Sequence, residues 1–191
     1  MKNSKIQRMA GIGLLMALVV VLQSIPIPAV AGFPISLVLI PIVMGGAVFG
    51  PGAGAVLGAT FGVIVYINCV SGVDGGGHMV FHADPLLCFL VVMGKGTLAG
   101  WLSALMYRLL KYFNGYWAML AAAIVCPVIN TGVFVTCMLL FFKDVLAVWA
   151  EGGEIIAYVL TGLVLANFVP ELIVNVVFSP AGQRIVHVLK K

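Results

Sequence analysis

The chain has 191 residues, of which 63% are hydrophobic and only 8% charged, and its formal net charge is +4. Soluble domains carry about 25% charged residues, and the mean hydropathy here is +1.21, so the composition excludes a soluble protein and describes an integral membrane protein. At about 20 residues per crossing there is room for about six spans, and none for a large soluble head.

In chain order, MKNSKIQRMAGIG starts like the basic region of a signal peptide. No small-residue cleavage site follows Gln23-Ser24, so it reads as a retained first helix over 6–25. Gly13 and Ala17, with Ala10 a turn earlier, give that helix a small-residue face. An uncharged linker covers 26–34, and helices over 35–49 and 53–70 follow, separated by the turn signal Gly50-Pro51-Gly52. The stretch Pro41–Gly62 holds seven glycines, and Gly46, Gly50, Gly54, Gly58 and Gly62 recur every four residues. That spacing predicts a hairpin whose grooves admit neighbouring helices closely. SGVDGGGHMVFHAD, over 71–84, reads as an irregular, mobile loop because of its three successive glycines.

A fourth helix over 85–110 contains Lys95 and ends in a basic, aromatic turn (Arg108, Lys111, Tyr112, Tyr116, Trp117). A fifth helix over 117–142 includes Pro127, an acidic loop covers 143–154, and a sixth helix over 155–178 is interrupted by Pro170. SPAGQRIVHVLKK reads as a short amphipathic basic tail. The expectation is one all-α membrane domain, a bundle of six transmembrane helices over residues 1–191. Cys69, Cys88, Cys126 and Cys137 sit in apolar runs without a CxxC pair and read as small buried hydrophobes.

With six spans, Lys2, Lys5, Arg8, Arg108, Lys111, Arg184, Lys190 and Lys191 fall on one side, eight of the ten basic residues. Asp74, Asp84, Asp144, Glu151 and Glu154 fall on the other with Lys143. The positive-inside rule then places both termini in the cytoplasm. The dispersed basic residues point to this loop bias rather than to nucleic acid.

Two formally charged residues remain within the spans, Lys95 and Glu171. A charge at mid-bilayer costs at least a few kcal/mol, so each marks a functional site by default. Lys95 lies ten residues into its helix, roughly 15 Å from the outer end. Asn130, Thr131 and Asn167 lie in the same layer, and Asn167, Glu171 and Asn175 share a helix face at four-residue steps. The layer predicts a pocket open to the outside, with Lys95 as counter-ion for a carboxylate. The competing reading pairs Lys95 with Glu171 and uses the asparagines as interhelical glue. Asp74, His78, His82 and Asp84 crowd the outer loop, where they form a lid over the ligand, a plain solvated loop, or a metal site. Gly94-Lys95-Gly96 lacks the rest of a P-loop, the glycines at 52, 54 and 58 do not fit GxGxxG, and no nucleophile has a neighbouring base, so no enzyme, cofactor or metal is expected.

RMAGIGLLMAL, the IPIVMGGAVFGPGAGAVLGATFG hairpin and GKGTLAGWLSALMY together resemble an S component, the substrate-binding membrane subunit of energy-coupling factor (ECF) vitamin transporters. The resemblance covers nearly the whole chain, and the hairpin is its most specific block. It implies a prokaryotic plasma-membrane subunit without its own ATPase, which captures a vitamin-like substrate outside. Such a subunit docks on a transmembrane coupling subunit driven by two cytoplasmic ATPases and topples in the membrane to release its cargo. By that resemblance Ala10, Gly13 and Ala17 contact the coupling subunit, and substrate sits among the fourth to sixth helices and the outer loops. Pantothenate is the first choice of substrate. Two departures stand out: no histidine follows the initiator methionine, as in metal-transporting relatives, and no lysine follows Pro51. A stand-alone oligomeric channel or secondary transporter, an assembly subunit without ligand, and metal uptake through His78 and His82 are the alternatives.

Overall fold

The computed structural model describes residues 4–25 and 37–189, and every regular element within them is helical. The linker over 26–34, the expected start of the second helix at 35, and Lys2, Lys190 and Lys191 lie outside the described residues. Helices α1 (Ser4–Ser24), α3 (Pro51–Ser71), α5 (Pro85–Leu110) and α6 (Gly115–Phe141) are long and apolar enough to cross a bilayer, as is the path from Ile155 to Val188. That makes five candidate spans among the described residues. The sixth apolar helix, α2 (Leu39–Phe49), has 11 residues, or roughly 16 Å at 1.5 Å per residue, about half of a hydrocarbon core. Large apolar side chains such as Ile67, Leu90, Leu140, Leu165 and Val177 face outward. In water they would form aggregating patches; in lipid they are the solvated surface.

The glycine hairpin is the packing seam. Gly50 takes φ +94°, a left-handed conformation open to a residue without Cβ, and turns α2 into α3. Along α3, Gly54, Gly58 and Gly62 then face Gly100, Gly96 and Val92 of the antiparallel α5. A Cβ at Gly54 or Gly58 would run into the carbonyl oxygen of the facing glycine, and one at Gly62 would lie 2.8 Å from the Val92 oxygen. Backbone thus meets backbone, the contact that small residues make possible between membrane helices.

Four expectations about loops and helix ends are corrected. The 71–84 segment is not irregular: it contains α4 (Gly75–Ala83), started by Asp74, whose Oδ1 accepts the Gly77 N–H at 2.9 Å. A good cap satisfies donors that three poor helix formers would otherwise leave open. The 143–154 loop contains α7 (Lys143–Trp149). The last span is not broken at Pro170, nor is the tail a separate piece. Helix α8 (Ile155–Tyr158) runs into a π-helical segment (Val159–Phe168) and then α9 (Val169–Leu189). Pro170 has no N–H to give, and the wider π turns take up the mismatch, with the Val169 N–H reaching back five residues to the Val164 carbonyl.

Candidate functional site

One end of the molecule gathers Arg8, Phe49, Tyr107, Gly115 and Gln183. Arg8 donates to the Phe49 carbonyl at 2.9 Å, and the Tyr107 hydroxyl donates to Gln183 Oε1 at 3.2 Å. Towards the opposite end larger side chains take over from the glycines: Phe61, Val65 and Cys69 of α3 and Val91, Val92 and Cys88 of α5 line a cavity of about 60 Å³.

The polar layer read from the sequence lines this cavity. Lys95 enters from α5, Asn130 and Thr131 from α6, Asn167 from the π segment and Glu171 from α9, with Asp74 at the roof. The Lys95 ammonium lies 4.8 Å from the centroid of the Phe134 ring and 5.7 Å from that of Phe61. Cation–π attraction of this kind steadies a cation without neutralising it. Three buried polar atoms, Asn130 Oδ1, Thr131 Oγ1 and Asn167 Oδ1, have no hydrogen-bond partner within the described residues. A native interior leaves few such groups, and their shared position gives the cavity hydrogen-bonding capacity for a polar guest. Glu171 is 2% exposed, and Asn175 donates from Nδ2 to its backbone carbonyl at 2.8 Å.

The other three residues of the expected site are not on the lining. Asp84 caps α5, its Oδ1 accepting the Leu86 and Leu87 N–H groups at 2.9 Å each. His78 lies behind the roof: its Nδ1 is 2.8 Å from the Cys69 carbonyl, which can only accept, so Nδ1 carries the proton. His78 Nε2 is then left as acceptor for His82 Nε2–H at 3.0 Å. Among the described residues no three His, Cys, Asp or Glu side chains converge as a metal would need.

Sequence reasoning missed Gln23, Phe61, Phe134, Gly77 and the thiols of Cys69 and Cys88, all on the lining. Phe61 stands inside the glycine hairpin, which by sequence reads only as a packing element; the neighbouring Thr60 hydroxyl donates to the Val56 carbonyl of its own helix at 2.9 Å. Phe61 and Lys95 lie on α3 and α5, and only the antiparallel register, with Gly62 opposite Val92, reveals that they meet.

The family model for the ECF transporter substrate-specific component matches residues 7–181. The chain belongs to that family. It is therefore the substrate-specific component of an ECF transporter and a multi-pass membrane protein, and the family implies docking on an energy-coupling module. No curated protein matches it. On α1, Ala10, Gly13 and Ala17 are exposed, and no described residue lies within 4 Å of a Cβ built on Gly13.

Proposed function

We propose that this component captures a carboxylate-bearing vitamin or vitamin precursor in the cavity between α3, α5, α6 and the last span, with pantothenate as the first ligand to test. It then delivers the solute inward when Ala10, Gly13 and Ala17 of α1 dock on a transmembrane coupling subunit powered by two cytoplasmic ATPases. The end carrying Arg8, Arg108 and Lys111 faces the cytoplasm, as the excess of basic residues there supports. The cavity then faces outward, roofed by α4.

The observation that carries the reading is Lys95: a cation ten residues deep in an apolar helix, held over two aromatic rings in a cavity whose Asn130, Thr131 and Asn167 have bonds to offer. A carboxylate there gains a charge-assisted bond in a setting with little competing water. Asp74, at the roof, is bonded to the Gly77 N–H, so its position is set by the lid helix itself. Asn130, Thr131 and Asn167 complete the contacts to hydroxyl or amide groups of the solute.

The test is calorimetry of the purified, monodisperse protein with pantothenate and other B-vitamins. Tight binding is expected for a carboxylate-bearing member. No binding of any vitamin or precursor by folded protein overturns the reading. Lys95→Gln should weaken binding by about tenfold or more if roughly 1.5–3 kcal/mol of charge-assisted bonding is lost; unchanged affinity assigns Lys95 to structure.

A further inference from the structure

A second concavity lies at the end of the molecule away from the substrate cavity. It is a groove of about 450 Å³ between the first turns of α1 and the start of α3, lined by Lys5, Arg8, Met9, Ile12, Gly52 and Val56, among others. We propose that it binds one anionic phospholipid, the phosphate against Lys5 and Arg8 and an acyl chain along Met9, Ile12 and Val56.

The argument rests on how charge and apolarity are ordered along the membrane normal. Lys5 lies at the start of the apolar stretch of α1, with Arg8 roughly 4.5 Å and Ile12 roughly 10 Å further along the helix at 1.5 Å per residue. The opposite wall runs the same way, from Gly52 at the turn to Val56 a turn further in. The groove therefore passes from cationic to apolar over the depth at which a phospholipid passes from phosphate to chain. Lys5, Met9 and Val56 are exposed, so it opens sideways into lipid.

Its charges are complementary to an anion. Among the described residues the groove has two basic side chains and no acidic one. Arg8 already spends one N–H on the Phe49 carbonyl, which fixes its guanidinium at the groove and leaves further donors. No side chain caps the start of α3 beside them. The groove is also separate from the docking face. At 3.6 residues per turn, Lys5, Arg8, Met9 and Ile12 centre about 120° around α1 from Ala10, Gly13 and Ala17. A lipid could thus stay in place while a partner subunit sits on the small-residue face.

Native mass spectrometry of the full chain, released from vesicles of equal phosphatidylglycerol and phosphatidylcholine content and matched acyl chains, tests this. One phosphatidylglycerol per protein is expected to survive detergent release, in preference to phosphatidylcholine. Lys5→Gln should lower that preference by about fivefold, the worth of one interfacial cation. Because Arg8 also ties α1 to α2, the second variant is Val56→Trp, which fills the apolar end without touching a charge and should abolish retention with thermal unfolding unchanged. Arg108→Gln with Lys111→Gln, at the same end but outside the groove, should leave retention intact. Equal retention of both lipids, or retention indifferent to Lys5→Gln and Val56→Trp, overturns the proposal.

Discussion

Helices α3 and α5 meet twice, and the two meetings differ in kind. Near the Gly50 turn they touch backbone to backbone through Gly54, Gly58, Gly96 and Gly100. Towards the other end the same helices carry Val65, Cys69 and Cys88 and, with Phe61 and Lys95 at the edge of the glycine seam, stand around a cavity. One contact thus supplies rigidity and the other room, and a change of side-chain size within a single helix pair makes the difference. A transport subunit needs both, because a binding site on mobile helices loses affinity to the ordering of its own walls.

The largest effect should come from breaking the closed half. Gly58→Val places a branched side chain against the Gly96 carbonyl and the Thr97 backbone, which cannot rotate aside. Overpacking costs about 1–3 kcal/mol in ordinary cores, and here the obstacle is backbone on both sides. Size-exclusion chromatography and thermal unfolding should show aggregation or a large loss of stability, whereas Gly52→Ala, with nothing within 4 Å of its Cβ, should behave as the parent protein. In the open half the expected order reverses, with binding lost and folding kept. Lys95→Met should weaken carboxylate binding at least as much as Lys95→Gln while thermal stability holds or rises, since an apolar side chain there carries no desolvation cost.

How much of this contrast could be read from residue order differs between the halves. The polar layer was legible because Lys95 and Glu171 are anomalies in an apolar chain, and period four assigns Asn167 and Glu171 to one face. The glycine seam was legible as a repeat, but not its partner. That Gly58 meets Gly96 rather than α2 is a property of the antiparallel register. The roof was misread because Gly75-Gly76-Gly77 has poor helix propensity, and the decision fell to a single capping carboxylate and to burial of Gly77 against Cys69. Pro170 was read as a break, whereas in a bilayer an unpaired carbonyl is costly enough that the chain widens into π turns instead. The aromatic walls around Lys95 carried no signal at all, since Phe61 and Phe134 are ordinary members of apolar runs.

Smaller effects should sharpen the picture of the cavity. Asp74→Ala removes the cap of α4, worth about 1 kcal/mol, and should speed ligand release in stopped-flow measurements by loosening the roof. An unchanged off-rate would show that α4 is not the gate. Thr131→Val is the finest test, because it preserves shape and removes only a hydroxyl. Among the described residues that hydroxyl is buried without a hydrogen-bond partner, so its loss should leave thermal stability of the ligand-free protein the same or slightly higher. With ligand bound the hydroxyl is expected to make a hydrogen bond worth about 1 kcal/mol, so affinity should fall by about fivefold. Opposite signs for stability and affinity at one residue are what a binding group predicts. A packing or interhelical hydrogen-bonding role predicts that both fall together, and that outcome would return Thr131 to the structural half of the comparison.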